Sequence, residues 1–127
     1  MIEGVSQVVV EVEDQDRALK FWTETMGFDL AQDAPYAEAG RWIEVQTRDK
    51  ATILVLRLRQ GDPEAVPEEL PTSNIFFHCD DLPRTYDELR ARGVEFPQPP
   101  VKQSWGWWSM FQDQEGNRFA LHPREAT

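Results

Sequence analysis

Aromatic side chains concentrate in one short segment of the sequence. Residues 104–111, Ser-Trp-Gly-Trp-Trp-Ser-Met-Phe, hold four aromatic residues in eight positions: Trp105, Trp107, Trp108 and Phe111. Planar rings stack on flat ligands, and the face of an indole also attracts cations. The segment therefore predicts contacts to a planar aromatic or cationic molecule, provided that its rings are not all used for core packing.

Which of these rings meet a ligand depends on how the segment pairs with the strand that follows it. Residues 113–116, Asp-Gln-Glu-Gly, predict a hairpin turn. Pairing across that turn is expected to place Ser109 opposite Ala120. Because side chains alternate along a strand, Trp107 and Phe111 then share the ligand side of the sheet. The opposite side, beneath the helices, receives Trp108 and Met110.

Polar and aromatic residues in three other strand-like segments complete the candidate ligand contacts. Alternation along these strands gives one set of expected ligand-facing residues: Gln7, Glu11, Trp42, Glu44, Asn74, Phe76 and His78. Trp105 of the aromatic segment is a further expected ligand contact. The carboxylates of Glu11 and Glu44 would attract positive charge. The amides of Gln7 and Asn74 have two open interpretations, contact with water or hydrogen bonds to a ligand.

Nucleophilic, phosphate-binding and metalloprotease motifs are missing from the sequence. Its single cysteine, Cys79, excludes an internal disulfide and a cysteine-cluster metal site. Since Cys79 alternates with His78, we expect it to face the helices as a small buried residue. A metal-free acid–base role for Glu11, Glu44 or His78 stays open.

The charge balance narrows the class of partner. Thirteen Lys and Arg stand against 23 Asp and Glu, a formal net charge of −10. A phosphate backbone or an anionic membrane would be repelled, so we expect neither nucleic acid nor membrane as a partner. No apolar run approaches the about 18–20 residues that span a bilayer. The first residues lack the layout of a signal peptide, and a cytoplasmic protein is expected.

An internal repeat supplies the elements that position these residues. Residues 7–14 and 74–81 are both apolar-rich strand candidates that end in acidic residues. Asp14 and Asp81 are expected to cap the following helices, which end near Gly27 and Gly93. Three further strands are expected after each helix, at residues 28–32, 41–47 and 52–59 and at residues 94–98, 107–112 and 118–122. The sequence thus predicts one domain, 1–127, in two βαβββ modules, 5–60 and 72–123, joined by a polar, proline-rich linker at 61–71.

The duplicated βαβββ pattern resembles the vicinal oxygen chelate superfamily, which holds glyoxalase I, extradiol dioxygenases and bleomycin resistance proteins. Residues 7–22, 74–89 and the closing 111–121 carry the resemblance. It implies an α+β fold in which both modules form a cupped, mostly antiparallel eight-stranded sheet. It also implies a homodimer, with ligand pockets between protomers.

Enzymes of this superfamily hold one divalent metal on the first and last strand of each module. The matching positions here are Gln7, Asn74, Ala120 and either Leu54 or Val55. These side chains are poor ligands for a divalent ion, so we expect no metal and no other cofactor. A shifted site of one carboxylate and two imidazoles remains as an alternative, formed by Glu11, His78 and His122.

Two functions remain in competition. The first is a metal-free protein that sequesters an aromatic or cationic natural product, as bleomycin resistance proteins do, without catalytic residues. The second is a glyoxalase-like lyase or isomerase with a displaced or absent metal. The missing ligands, the aromatic segment and the acidic charge favour the first. A fold of this kind hosts both, so the fold does not decide between them.

Overall fold

The computed structural model describes residues 1–36, 40–59 and 72–124, with side chains from Ile75 onward in the last range. The predicted linker, residues 61–71, and the side chain of Asn74 lie outside the described residues. The chain divides into two compact units, Met1–Val66 and Pro67–Thr127. Each unit contains one βαβββ module, which confirms the predicted α+β class.

The first unit is a four-stranded sheet with one helix. It comprises β1 (Val8–Val12), α1 (Gln15–Lys20), β2 (Asp29–Pro35), β3 (Arg41–Gln46) and β4 (Ile53–Leu58). A π-helical segment, Phe21–Thr25, continues α1 directly. The strand order is β1-β4-β3-β2, in which β1 and β4 are parallel and the other pairs antiparallel.

The second unit repeats this arrangement. It comprises β5 (Thr72–Cys79), α2 (Leu82–Ala91), β6 (Gln98–Gln103), β7 (Gly106–Gln112) and β8 (Arg118–Pro123). The order β5-β8-β7-β6 again has one parallel pair, β5 with β8. The eight strands of the two units therefore form two mixed sheets of four strands each.

Both helices begin and end where the sequence predicts. The Asp14 carboxylate accepts a hydrogen bond from the Arg17 N–H at 3.0 Å, and Asp81 accepts one from Arg84 at 3.1 Å. These bonds satisfy backbone donors that have no partner within the helix. Gly93, just after α2, has φ of 94°, which an L side chain rarely adopts. Among the described residues, neither helix has the length and apolar composition that a bilayer crossing requires.

Each sheet buries one side against its helix. In the first unit Trp22 is fully buried with the inner residues of the strands: Val10, Val12, Ile43, Val45, Leu54 and Leu56. In the second unit Phe111 and Phe119 stack with ring centroids 5.4 Å apart, and Phe77 contacts both rings. This helix-covered side is called the packed face of each sheet, and the opposite side its open face.

The predicted pairing of Ser109 with Ala120 is wrong, because the turn is one residue longer than expected. The backbone N–H of Asp113 donates to Asn117 O at 2.9 Å, which leaves a three-residue turn ending at Gly116 with φ of 92°. Ser109 therefore pairs with Leu121. A shift of one residue exchanges the two faces of a strand. The packed face of β7 carries Trp107, Ser109 and Phe111, and its open face carries Trp108 and Met110.

The strand predicted at residues 94–98 is also wrong. The structure places β6 at Gln98–Gln103, through two consecutive prolines, Pro99 and Pro100. Proline lacks the N–H that an inner strand needs, but β6 is the edge strand of its sheet and tolerates the loss.

Candidate functional site

The open face of the second sheet gathers aromatic and imidazole side chains on three neighbouring strands. Phe76 pairs with Ala120 and His78 with His122, so that all four point to the same side. Trp108 of β7 lies on this side as well, since it alternates with the buried Ser109. We call Phe76, His78, Trp108 and His122 the aromatic face.

Two large rings, one on the aromatic face and one next to it, are exposed. The Phe76 side chain is 68% exposed, at a position where the backbone of β5 pairs with β8. Its ring lies edge-on to His122, with centroids 6.4 Å apart. Trp105, which is 61% exposed, lies 6.2 Å from Trp108. An apolar ring held open by its neighbours in this way is available to stack on a flat molecule.

Hydrogen-bonding groups on the aromatic face differ in how they are satisfied. The Trp108 indole N–H is buried and has no hydrogen-bond partner within the described part of the chain. His122 Nδ1 lies 2.8 Å from the carbonyl oxygen of Pro123. A buried donor without an acceptor costs about 1–3 kcal/mol. Because the Trp108 N–H is buried, the imidazoles of His78 and His122 are the polar groups that the aromatic face offers a ligand beside its ring surface.

The open face of the first sheet carries fixed polar groups beside a smaller aromatic pair. The Trp42 indole N–H donates to Glu44 Oε2 at 2.7 Å, and the Trp42 ring packs edge-on against Tyr36 at 5.3 Å. Glu11 forms an ion pair with Arg57 at 2.5 Å. Because Arg57 balances its charge, Glu11 attracts an added cation less than the sequence analysis expected.

Sequence reasoning missed Arg57 and Tyr36. Arg57 is opposite Glu11 in the parallel pairing of β1 and β4. The signal for it was an arginine in an otherwise aliphatic strand, Ile-Leu-Val-Leu-Arg-Leu. The prediction for Trp108 is wrong as well, because the longer turn puts its side chain on the open face instead of the packed face.

Among the predicted site residues whose side chains the structure describes, all are half-buried or exposed except Phe111. Gln7 is half-buried directly before β1. Phe111 is 1% exposed and lies among Phe77, Phe96 and Phe119 in the core of the second unit. Trp107 is on the same packed face. Because the predicted pairing of β7 with β8 is wrong by one residue, Trp107 and Phe111 lie on the packed face and not on the expected ligand side.

The metal-ligand positions implied by the family resemblance do not fit a divalent cation. Ala120 lies beside Phe76, where its methyl group supplies no donor atom. Leu54 is on the packed face of its sheet and Val55 pairs with Glu44 on the open face. Across the described residues, no group of three or more His, Cys, Asp or Glu side chains is placed to hold a metal ion. Glu11, one member of the alternative site, is already engaged by Arg57.

The cysteine faces the helix side of its sheet. The Cys79 thiol donates to the His122 carbonyl oxygen at 3.7 Å. Burial raises the pKa of the Cys79 thiol, and a hydrogen bond with Thr85 only partly offsets that shift. A raised pKa lowers the thiolate fraction, which is the opposite of what a nucleophile requires.

Comparisons with known proteins agree with the fold. A family model described as the Glyoxalase/Bleomycin resistance protein/Dioxygenase superfamily matches residues 4–121. YetH of Bacillus subtilis (strain 168) is 38% identical over 95% of this chain and 98% of its own. The crystal structure of UcmS2 has a TM-score of 0.82 at 34% identity and covers 95% of this chain and 98% of its own. TnmS3, an antibiotic binding protein from Streptomyces sp. CB03234, has a TM-score of 0.78 at 33% identity, over 98% of this chain and 99% of its own.

Proposed function

This chain belongs to the glyoxalase/bleomycin resistance protein/dioxygenase superfamily, and we propose that it is a binding protein that sequesters a planar aromatic natural product without chemical conversion. The observation that carries the proposal is the exposed aromatic face of the second sheet. Phe76 is 68% exposed there beside His122, and Trp108 lies on the same side of the sheet. Stacking on such rings contributes about 0.5–1.5 kcal/mol per pair beyond the burial of area.

The similarity to TnmS3 supports a binding function. That protein is described as antibiotic binding, and the two chains align over almost their whole lengths at 33% identity. Fold alone does not transfer function within this superfamily. The aromatic face of this chain is what favours a planar aromatic ligand here.

The donor set supports binding over the lyase or isomerase alternative. Ala120 and Val55 occupy positions where a metal enzyme of this family needs ligands, and neither side chain has a donor atom. We propose that no metal ion or other cofactor takes part.

The proposed ligand contacts lie on the open face of each sheet. In the second unit they are Phe76, His78, Trp108 and His122, with Trp105 in the turn before β7. Asn74 stays a contact proposed from the sequence alone. In the first unit they are Gln7, Glu11, Trp42 and Glu44. Trp107 and Phe111 are no longer included, because they lie on the packed face. We further propose that the protein is cytoplasmic and that it forms a homodimer. Light scattering on the purified protein tests the dimer.

Titration with anthraquinone-type and bleomycin-type compounds tests the binding function, with tryptophan fluorescence as the readout. We expect quenching with micromolar or tighter affinity. Trp108→Leu and Phe76→Ala should each weaken binding about tenfold, which corresponds to about 1.4 kcal/mol. Leu30→Ala, at an exposed position of β2 outside the proposed contacts, is the control.

A parallel assay addresses catalysis. Purified protein is analysed for bound metal and incubated with methylglyoxal and glutathione. We expect no turnover and no stoichiometric zinc, nickel or manganese. Turnover that depends on such a metal, or the absence of a response to every planar compound, contradicts the proposal.

A further inference from the structure

A cleft opens on the packed face of the second sheet, away from the aromatic face. It has a volume of 850 Å³ and lies between the N-terminal half of α2 and strands β6, β7 and β8. Leu82 and Tyr86 of the helix form one wall, and Pro100 and Trp107 of the sheet form the other. All of its lining residues belong to the second unit.

The cleft exists because α2 covers only one end of the sheet. Along the packed face of β7, Phe111 is 1% exposed and Ser109 is fully buried, but Trp107 is 41% exposed. An indole on the packed side of a sheet normally contributes to the core. Here its ring is left open at the wide end of the space between helix and sheet.

Size and wall chemistry suit a small organic molecule. Ligand pockets commonly enclose about 300–1,000 Å³ and are lined mainly by apolar and aromatic groups. The cleft falls in this range, and its walls combine the rings of Trp107 and Tyr86 with proline side chains from the strands. A flat ring of the ligand can therefore stack between the helix and the sheet.

The charged side chains that line the cleft favour a positively charged ligand. Three carboxylates line the cleft, Asp80, Asp81 and Asp87, against one guanidinium, that of Arg124. Asp81 is occupied as the cap of α2. Asp80 and Asp87 are exposed, and neither makes an ion pair within the residues that the structure describes. Arg90 already lies over the Tyr86 ring, 5.4 Å from its centroid, so Trp107 is the electron-rich ring that remains for a ligand cation beside the lining carboxylates.

We infer that this cleft is a second binding site, specific for a small planar aromatic cation. Trp107 stacks on the ring system, Tyr86 contributes to the opposite wall, and Asp80 and Asp87 hold the positive charge. The site is on the face of the sheet opposite to the one proposed to bind the natural product. It therefore stands independently of that proposed function, and either can fail without the other.

Ethidium, a planar aromatic cation, is the probe for this site, and neutral phenanthridine is its uncharged counterpart. Binding is measured by ethidium fluorescence and by the shift of the Trp107 indole N–H resonance in an NMR titration. We expect a saturable shift of that resonance. Trp107→Leu should weaken ethidium binding about tenfold, whereas Leu30→Ala, at an exposed position of β2 outside both proposed sites, should leave it unchanged.

The double variant Asp80→Asn/Asp87→Asn tests the charge. Both residues are exposed, so this variant is expected to fold even if Trp107→Leu does not. It should weaken ethidium binding several-fold and leave phenanthridine binding unaltered, because only the charged ligand loses an attraction. Equal loss for both probes, an unchanged ethidium affinity in Trp107→Leu, or an unmoved Trp107 resonance overturns the inference.

Discussion

Trp107 and Trp108 are neighbours in sequence but lie on opposite faces of the second sheet. Trp107 is 41% exposed and lines the cleft beside α2, and Trp108 lies with Phe76 and His122 on the aromatic face. A strand alternates its side chains, so one step along β7 moves an indole from one candidate site to the other.

Phe111 and Phe76 are expected to respond oppositely to truncation. Phe111→Ala should lower the free energy of unfolding by about 3–5 kcal/mol, because a buried ring is replaced by a cavity. Phe76→Ala should change it little, since that ring is 68% exposed. Urea denaturation of both variants measures the difference. Equal destabilisation by the two substitutions would mean that the assigned faces are wrong.

Gln15 connects α1 to the first sheet through three hydrogen bonds. Its Nε2 donates to the carbonyl oxygens of Arg41 at 2.6 Å and Leu56 at 3.0 Å, and its Oε1 accepts from the Arg41 N–H at 3.1 Å. Gln15→Leu leaves buried backbone groups without partners and should lower the free energy of unfolding by about 1–3 kcal/mol. Lys20→Leu, on the exposed side of the same helix, is the control and should have little effect. If Gln15→Leu left the free energy of unfolding unchanged in chemical denaturation, the role given to these bonds would be contradicted.

The Cys79 thiol should react slowly in the folded protein. Burial raises its pKa above that of an ordinary thiol, so less thiolate is present at about pH 8. We expect iodoacetamide to alkylate the urea-unfolded chain faster than the native protein. The folded thiol binds its proton more tightly than the unfolded one, so its contribution to stability is lost as pH rises through the folded pKa. Cys79→Ala should reduce this alkaline loss, and a native thiol as reactive as the unfolded one would refute the shift.

The repeated features of the fold were readable from the sequence because each depends on local chemistry. An aspartate caps a helix wherever its carboxylate reaches the third N–H, and Asp14 and Asp81 both do. Apolar alternation around these helices predicted the order of elements in both units. Such signals lie within a few residues of the structure that they specify.

The assignment of faces in β7 required information that no local pattern contains. The stretch Asp-Gln-Glu-Gly-Asn is compatible with more than one turn length, and one extra residue reverses every side chain beyond it. The pairing of Asp113 with Asn117 decides this point. The Glu11–Arg57 ion pair was missed for a related reason, because it joins strands that are far apart in the sequence.

A crystal structure with a bound anthraquinone-type ligand tests the proposed function most directly. The account predicts that the ligand's rings contact Phe76 and Trp108 on the aromatic face, with no metal ion beside Ala120. A ligand bound through a transition-metal ion, or a ligand that leaves both Phe76 and Trp108 untouched, would contradict it.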